Sequence, residues 1–303
     1  MSIPEFFLAR AYELFSKHPT IFFGVGGGYL RSSNKREGLK ALIAHGSQIL
    51  LSRIGIAPRC SIYLPQSVGP FRYGVGNLLR RVICGNVNTI FLRDDKSISE
   101  LEHRRGIRTG DLAVLEIVRH LPRKECGQYA KNPQIFFVFR DLGSKQYSDK
   151  YLQNIKKLKS LLPDAIFAIQ SSGRGNSDNT FYEDTLGVKD HVLLKDVLAR
   201  GNAIVVSVRL HGSLESILEG VPSVHIAYER KGRAAFSDLG LDAYSFHASD
   251  FDPDAVAAAV RSIAFNPADY WRCMNVSPAC CYSDLLSAIK HDLDKFTDAH
   301  NGW

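Results

Sequence analysis

The chain has 303 residues, of which 45% are hydrophobic and 23% are charged, so it can bury a substantial core and suits two domains of ordinary size. This composition excludes a non-globular class of protein. The formal net charge of +7 favours an anionic partner, and nucleic acid is the least favoured of these because no basic cluster is long or interleaved with aromatic residues.

The start of the chain and the cysteines indicate where the protein works. The first ten residues lack a basic segment followed by an apolar stretch, and no apolar run is long enough to cross a bilayer. The six cysteines are scattered and lack the spacing of zinc ligands, which is typical of thiols in a reducing compartment. We therefore expect a cytoplasmic protein without metal or cofactor, with at most peripheral contact at the inner face of a membrane.

The first half of the chain alternates apolar strand patterns with amphipathic helix patterns. Strands are predicted at residues 20–25, 61–64 and 89–92 and within 107–118, and helices at 5–15, 37–54, 76–84 and 97–104, the last ending at Gly106. The segment 66–70 is predicted as a polar turn. Gly26, Gly27 and Gly28 follow the first strand, where they either let the backbone approach a ligand or form a tight turn.

The second half begins after a polar, aperiodic segment at residues 121–133, which predicts domains of residues 1–125 and 126–303. Strands are predicted at 134–139, 165–169, 203–206 and 223–226, and helices at 151–162, 196–200, 212–218, 252–263 and 283–296. Asp252 is the predicted N-cap of its helix. This alternation predicts an α/β fold of two Rossmann-like, doubly wound domains that face each other across a cleft.

Residues 203–231 carry the densest pattern of candidate site residues. Arg209, Leu210 and His211 follow a strand and precede a helix, whereas Tyr228 and Lys231 are expected in the loop after the next strand. Ligands of such folds bind at the carboxyl ends of the strands, and a helix N-terminus offers free amides to an anion. This stretch predicts a receptor for phosphate or carboxylate.

Cationic side chains recur where strands end, at Arg93, Arg140 and Arg209. An arginine fork can hold a carboxylate or phosphate with two hydrogen bonds. The sequence also allows simpler interpretations: a surface arginine, His211 as a capping or core residue, and Lys231 in a solvated basic loop.

Five motifs in order resemble the polysaccharide pyruvyl transferase family. SVRLHGSLESILEGVPSVHIAYERKG contains Arg-Leu-His, Gly-Val-Pro and Tyr-x-x-Lys elements of that family's signature. GVGGGYL resembles its glycine-rich loop, LPQSVGPF its Gln-Ser-x-Gly-Pro turn and FLRDDKSISEL its Arg-Asp-x-x-Ser segment, and Asp111 matches an aspartate that follows. The resemblance covers roughly residues 20 to 245.

The resemblance implies a fold similar to GT-B glycosyltransferases and transfer of pyruvyl from phosphoenolpyruvate to two hydroxyls of a saccharide, giving a cyclic ketal. It places phosphoenolpyruvate at Arg140, Arg209, Leu210 and His211, with His211 as the general acid. The matched motifs add substrate-binding roles for Gly26, Gly27, Gly28, Arg93, Tyr228 and Lys231. The implied acceptor belongs to a bacterial polysaccharide or its precursor, free or lipid-linked. It would bind on the side of residues 1–125, and phosphoenolpyruvate on the side of residues 126–303.

One departure from the family leaves two alternatives open. Members begin with a strand and an Asn-x-Gly-Asp loop ahead of the glycine-rich loop, and the residues before Gly24 do not match it. Either the start is truncated or this branch of the family builds the acceptor side differently. The missing motif also permits a non-catalytic binding protein derived from the enzyme. A GT-B glycosyltransferase that uses a nucleotide-sugar shares the expected fold and anion site.

Overall fold

The computed structural model describes residues 18–25, 27–120, 132–143, 148–173 and 177–299. The chain divides into two compact units, one formed by the residues up to Asp111 together with those from Cys281 onward, the other by Leu112–Cys280. The helix predicted at 5–15, most of the segment 121–133 and Gly26 lie outside the described residues.

The first unit contains six strands and five α-helices in its described part. The strands are β1 (Thr20–Gly24), β2 (Leu30–Ser32), β3 (Arg59–Gln66), β4 (Val68–Phe71), β5 (Thr89–Leu92) and β6 (Gly106–Arg108). The helices are α1 (Lys35–Ala41), α2 (Ser47–Leu51), α3 (Tyr73–Asn86), α4 (Asp95–Leu101) and, from the end of the chain, α13 (Tyr282–Asp298). A π-helical turn, Leu42–Gly46, joins α1 to α2, so the long helix predicted at 37–54 is one continuous helical stretch.

The main sheet of this unit is parallel, in the order β1-β3-β5-β6. Its core contains Ile49, Leu79, Ile83, Ile90 and Leu92, which join apolar faces of the helices to strand β5. The strands predicted at 20–25, 61–64 and 89–92 are confirmed by β1, β3 and β5, and every residue of β5 is buried.

Two local predictions in this unit are wrong. The segment 66–70 is not only a turn, since β4 pairs in parallel with β2 as a separate two-stranded sheet. Helix α4 ends at Leu101, where Glu102 takes the left-handed conformation (φ 50°), and Gly106 instead begins β6. The short strand predicted within 107–118 is confirmed at its start by β6, and the segment continues as helix α5 (Leu112–His120), whose hydrophobic residues are buried at helical spacing.

The second unit contains six strands and helices on the segments between them. The strands are β7 (Gln134–Val138), β8 (Ile166–Ile169), β9 (His191–Leu193), β10 (Ala203–Ser207), β11 (Ser223–Ala227) and β12 (Ser245–His247). The helices after α5 are α6 (Ser148–Leu161), α7 (Asp178–Phe181), α8 (Leu194–Arg200), α9 (Leu210–Leu218), α10 (Arg230–Asp238), α11 (Pro253–Phe265) and α12 (Pro267–Arg272). Asp252 caps α11 as predicted, accepting a hydrogen bond from the amide of Asp254.

The six strands of this unit form one parallel sheet in the order β12-β11-β10-β7-β8-β9. Counted from β7, this is the strand order 6-5-4-1-2-3 of a Rossmann fold. The order reverses between β7 and β10, and ligands of open α/β sheets bind at the carboxyl edge of such a switch point. Rossmann-like units are what GT-B proteins are built from, so the predicted fold class is confirmed; the cleft stays a prediction.

The two units do not meet at the predicted domain boundary between residues 125 and 126. Helix α5 packs on α9 of the second unit, so the boundary falls before it rather than after it. Helix α13 belongs to the first unit, where Asp292 accepts a hydrogen bond from Thr89 of β5. Within the described residues, no helix combines the length and apolar character needed to cross a membrane.

Candidate functional site

The predicted residues of the second unit gather at the carboxyl edge of the switch point. Ser207 of β10 is paired with Val138 of β7, and Arg209 and Arg140 each lie two residues beyond this pair. Tyr228 directly follows β11, the next strand in the sheet. The parallel sheet therefore delivers all three residues to one edge.

The junction between β10 and α9 is fixed by the side chain of Ser207. Its hydroxyl donates to the carbonyl of Arg209 (2.9 Å) and accepts from the Arg209 amide (3.0 Å), which holds Arg209 extended as the N-cap of α9. The amides of Leu210, His211 and Gly212 then form the first turn, where backbone N–H groups have no partner inside the helix. A helix start of this kind can bind an anion through its free amides.

Arg209 is held by a buried carboxylate. Its Nε atom lies 2.8 Å and 3.0 Å from the two oxygens of Asp178, and its Nη2 atom adds a third contact at 2.5 Å. The side chain of Asp178 is fully buried and that of Arg209 is 10% exposed. The charge of Arg209 is therefore largely balanced within the protein.

Helix α7 and the π-helical turn after it (Tyr182–Leu186) brace three strands at this edge. Besides binding Arg209, Asp178 accepts from the amides of Gln170 and Ser171, which follow β8 (3.0 Å each). The Tyr182 hydroxyl donates to Ala168 of β8 (2.8 Å) and accepts from the Phe139 amide after β7 (2.9 Å). Burial raises the pKa of Tyr182 far above its usual value, so it remains a protonated brace.

Arg140 and Tyr228 meet above the switch point. The guanidinium carbon of Arg140 lies 5.9 Å from the centre of the Tyr228 ring, which suits a cation–π contact. Its Nε donates to the carbonyl of Asp141 (3.0 Å), and its own carbonyl accepts from Tyr151 (3.1 Å). Unlike Arg209, which is paired with Asp178, Arg140 has no carboxylate partner within the described residues.

The prediction that Tyr228 to Lys231 form one loop is wrong, because α10 begins at Arg230. Lys231 thus lies in the first turn of a helix, where its Nζ is 2.7 Å from the Glu229 carboxylate. His211 is exposed in the first turn of α9, and the described residues offer its side chain no hydrogen-bond partner. It is therefore open to an incoming ligand.

His225 is confirmed as a core residue rather than a catalytic one. It is fully buried in β11, its ring stacks on Phe236 with centres 5.1 Å apart, and Nδ1 lies 2.9 Å from the carbonyl of Ser207. A Cβ atom at Gly232 would lie 2.2 Å from Nε2, so glycine is required beside the ring. Burial lowers the pKa of His225 to about 4.

We expect this buried histidine to make stability depend on pH. Below about 6.5 the unfolded chain protonates His225 whereas the folded chain does so only near pH 4. The free energy of unfolding should therefore fall as the pH drops across this range, by about 3 kcal/mol in all. Urea unfolding of wild type and His225→Asn measures it, with the exposed His291→Asn as control. Equal pH slopes for wild type and His225→Asn would contradict the assignment.

In the first unit, Gly27, Gly28 and Arg93 follow strands at the carboxyl edge of its own sheet. Arg93 follows β5 and donates to the carbonyl of Gly27 (2.9 Å), to the Ser67 hydroxyl (3.2 Å) and to the carboxylate of Asp111. The Gly27 carbonyl also accepts from the Ser67 amide (3.0 Å), and a Cβ at Gly28 would come no closer than 4.0 Å to Arg93. Arg93 therefore ties the glycine-rich loop to the strand ends, with its charge balanced by Asp111.

Sequence reasoning missed the roles of Asp178, Ser207 and Gly212 in shaping this edge, although Ser207 and Gly212 lie within the quoted SVRLHG stretch. A Cβ at Gly212 would lie 2.9 Å from Oε1 of Gln170 and 3.0 Å from the Ser207 hydroxyl. Asp178 lies in a polar segment 31 residues before its partner Arg209 and resembles any acidic residue at a helix start. Within the described residues, no group of three or more His, Cys, Asp or Glu side chains is placed to hold a metal ion.

Comparison with known families adds a decisive observation. The family model of "Polysaccharide pyruvyl transferase" matches residues 51–230, more than half of the chain. The chain belongs to the polysaccharide pyruvyl transferase family. The matched range contains Arg93, Arg140, Arg209, His211 and Tyr228, whereas the glycine-rich loop and Lys231 lie outside it.

Membership of the polysaccharide pyruvyl transferase family identifies an enzyme whose kind of reaction is pyruvyl transfer with a saccharide acceptor. A search of curated proteins gave no match to the chain. Among solved structures, the chain resembles a UDP-GlcNAc 2-epimerase from Neisseria meningitidis bound to UDP-GlcNAc, at 13% identity and a TM-score of 0.47. That alignment covers 91% of this chain and 76% of the epimerase.

Proposed function

We propose that this pyruvyl transferase takes its pyruvyl group from phosphoenolpyruvate and forms a cyclic ketal on two hydroxyls of a saccharide. The proposal rests on one observation: the paired strands β7 and β10 place Arg140 and the start of α9 side by side at the switch point of the second unit. Phosphoenolpyruvate has a carboxylate and a phosphate, and these need a cation and convergent N–H donors.

The charges at this edge assign different tasks to the two arginines. Arg140 lacks a carboxylate partner among the described residues, so it supplies net positive charge to the donor. Arg209 is balanced by Asp178, so its main task is to hold the first turn of α9, whose amides then face the phosphate. Tyr228 keeps the Arg140 guanidinium in place by stacking against it.

The proposed reaction begins with proton transfer to the methylene carbon of phosphoenolpyruvate, which leaves positive character on the central carbon. One sugar hydroxyl attacks that carbon, the bond from this carbon to the phosphate oxygen breaks, and a second hydroxyl closes the ketal. The two hydroxyl protons are balanced by the proton gained by the methyl group and by one proton on the departing phosphate.

His211 is the proposed proton donor. Its side chain is exposed beside the helix start, within reach of a ligand held by the α9 amides. Histidine is suited to this task because its ordinary pKa is close to neutrality. Lys231 is balanced by Glu229, so we assign it a supporting role in substrate binding.

Replacing Arg140 by alanine should weaken phosphoenolpyruvate binding by about 1.5–3 kcal/mol, the usual contribution of a hydrogen bond to a charged group. Titration calorimetry measures this change. The matched control is Arg200→Ala, since Arg200 is exposed and lies ahead of β10, at the opposite edge of the same sheet. Unchanged affinity in Arg140→Ala, or the same loss in both variants, would remove Arg140 from the donor site.

The function itself is tested by incubating the chain with phosphoenolpyruvate and a panel of bacterial polysaccharide repeat units, free and lipid-linked. We expect one acceptor to gain the mass of pyruvic acid less one water, with one inorganic phosphate released per ketal. A parallel panel with nucleotide-sugars tests glycosyl transfer. Transfer from that panel alone would contradict the proposal.

A further inference from the structure

A second concave site lies in the first unit, at the amino-terminal edge of its main sheet. A cavity of about 460 Å³ is lined by α3 and by the segments that lead into β5 and β6. Its charged lining residues are Arg53, Arg80, Arg81, Arg104, Arg105 and Glu102. Since the strands are parallel, this edge is one strand length, roughly 13 Å, from the edge where Arg93 follows β5.

The cavity has a large surplus of positive charge. Among the described residues that line it, Glu102 is the one carboxylate, and it is paired with Arg80 at 2.8 Å. The guanidinium groups of Arg81, Arg104 and Arg105 have no ion-pair partner within the described residues. Several guanidinium groups around one concavity repel each other and concentrate anions from solution.

Internal hydrogen bonds fix the frame of this cavity. Arg53 donates to the carbonyl of Arg59 (2.9 Å) and to Oδ1 of Asn88 (3.1 Å). The same Asn88 oxygen accepts from the Ser61 amide (2.9 Å), which ties the entry of β5 to β3. These bonds fix Arg53 and the entries of β3 and β5 around the cavity.

His103 fixes the turn that carries Arg104 and Arg105. Its Nδ1 accepts from the Arg105 amide (3.1 Å), so Nε2 holds the proton and donates to the carbonyl of Val87 (3.1 Å). Burial lowers the pKa of His103, which favours this neutral form. His103 is therefore committed to structure, and the positive charge of the cavity comes from arginine.

We propose that this cavity binds a diphosphate or longer polyphosphate group. Guanidinium forks match phosphate oxygens two at a time, and several unpaired forks suit more than one phosphate. The volume is within the range of small-molecule sites. Among the described residues, the lining has no Phe, Tyr or Trp on which a nucleobase could stack, which favours the phosphate group alone.

The proposed ligand can be free in solution or the headgroup of a lipid diphosphate, since both present the same chemistry. Gly85 leaves room for it, because a Cβ atom there would meet nothing within 4 Å. The inference is independent of the phosphoenolpyruvate assignment, which rests on residues of the other unit.

The first test is titration of the full chain with pyrophosphate at constant ionic strength. We expect Arg104→Gln/Arg105→Gln to weaken pyrophosphate binding at least tenfold and to leave phosphoenolpyruvate affinity unchanged. Arg36→Gln is the matched control, because Arg36 is exposed on α1 of the same unit. Absence of pyrophosphate binding, or equal weakening in the control, would overturn the proposal.

The second test locates the ligand through Cys84, an exposed thiol that lines the cavity. Pyrophosphate should slow its alkylation by iodoacetamide several-fold and leave the alkylation rate of the exposed Cys273, in the other unit, unchanged.

Phosphatidylcholine vesicles with and without farnesyl diphosphate then show whether the bound diphosphate is a lipid headgroup or a free anion. Retention on the diphosphate vesicles supports a headgroup, and a response to pyrophosphate alone supports a free anion. Unprotected Cys84 together with no vesicle retention would contradict the proposal.

Discussion

Replacing His211 by glutamine is expected to slow single-turnover ketal formation by a factor of about 100 to 10,000, the usual loss when a general acid is removed. Glutamine keeps hydrogen-bonding atoms near the start of α9 but cannot deliver a proton to the methylene carbon. Affinity for phosphoenolpyruvate should therefore change far less than the rate. The variant should also fold normally, because His211 is exposed and has no side-chain hydrogen bond within the described residues.

The control for this experiment is His291→Gln, an exposed histidine on α13 of the other unit. Near wild-type turnover by His211→Gln would assign the proton to another group, with Tyr228 or Lys231 next to be tested. If rate and affinity fell together by the same factor, His211 would be a ligand of the phosphate and not the acid. A rate loss without an affinity loss is the pattern that we expect.

Removal of the Asp178 carboxylate is expected to lower the free energy of unfolding more than any other single substitution proposed for this protein. Asp178→Ala leaves the buried Arg209 guanidinium without its partner and removes the acceptor of the Gln170 and Ser171 amides. Loss of one member of a buried ion pair costs about 3–5 kcal/mol. Urea unfolding followed by circular dichroism measures the change.

Two further variants separate the structural role of this pair from its role at the site. Asp254→Ala removes an exposed partner of Lys157 and should cost much less, because water screens that pair. Arg209→Met/Asp178→Asn replaces both buried charges together and should recover part of the stability lost in Asp178→Ala. Donor affinity should remain low in the double variant, since the first turn of α9 has lost its anchor. Similar losses in Asp178→Ala and Asp254→Ala would contradict a buried, structural pair.

Sequence reasoning succeeded where the decisive interactions are local. Runs such as AIVVS are strands because every residue in them is apolar or small and buried by helices on both faces of the sheet. The start of α9 was located by the change from strand pattern to helix pattern around Arg209. The segment 66–70 was misjudged because its glycine and proline are typical of turns, whereas its pairing with β2 depends on residues far along the chain.

The sequence could not predict which arginines of the candidate site have a carboxylate partner. Arg93 and Arg209 are both cations at strand ends in sequence, but tertiary folding gives each of them a carboxylate, Asp111 and Asp178. Arg140 contacts a tyrosine ring and a carbonyl and has no carboxylate partner within the described residues, which is why we propose that its charge is available to a ligand. The basic cavity of the first unit is likewise invisible in sequence, since packing alone brings α3 and the entries of β5 and β6 together.

The most direct test of the account is thermal unfolding of the full chain with phosphoenolpyruvate or with UDP. A ligand that binds only the folded state at about 100 times its Kd adds roughly 2.7 kcal/mol of stability. We predict that phosphoenolpyruvate raises the Tm of wild type, and that this rise is reduced in Arg140→Ala and retained in Arg200→Ala. Any rise with UDP, whose diphosphate can bind the basic cavity of the first unit, should be the same in wild type and Arg140→Ala. A rise with UDP that is lost in Arg140→Ala, together with no rise with phosphoenolpyruvate, would contradict a phosphoenolpyruvate site at the switch point.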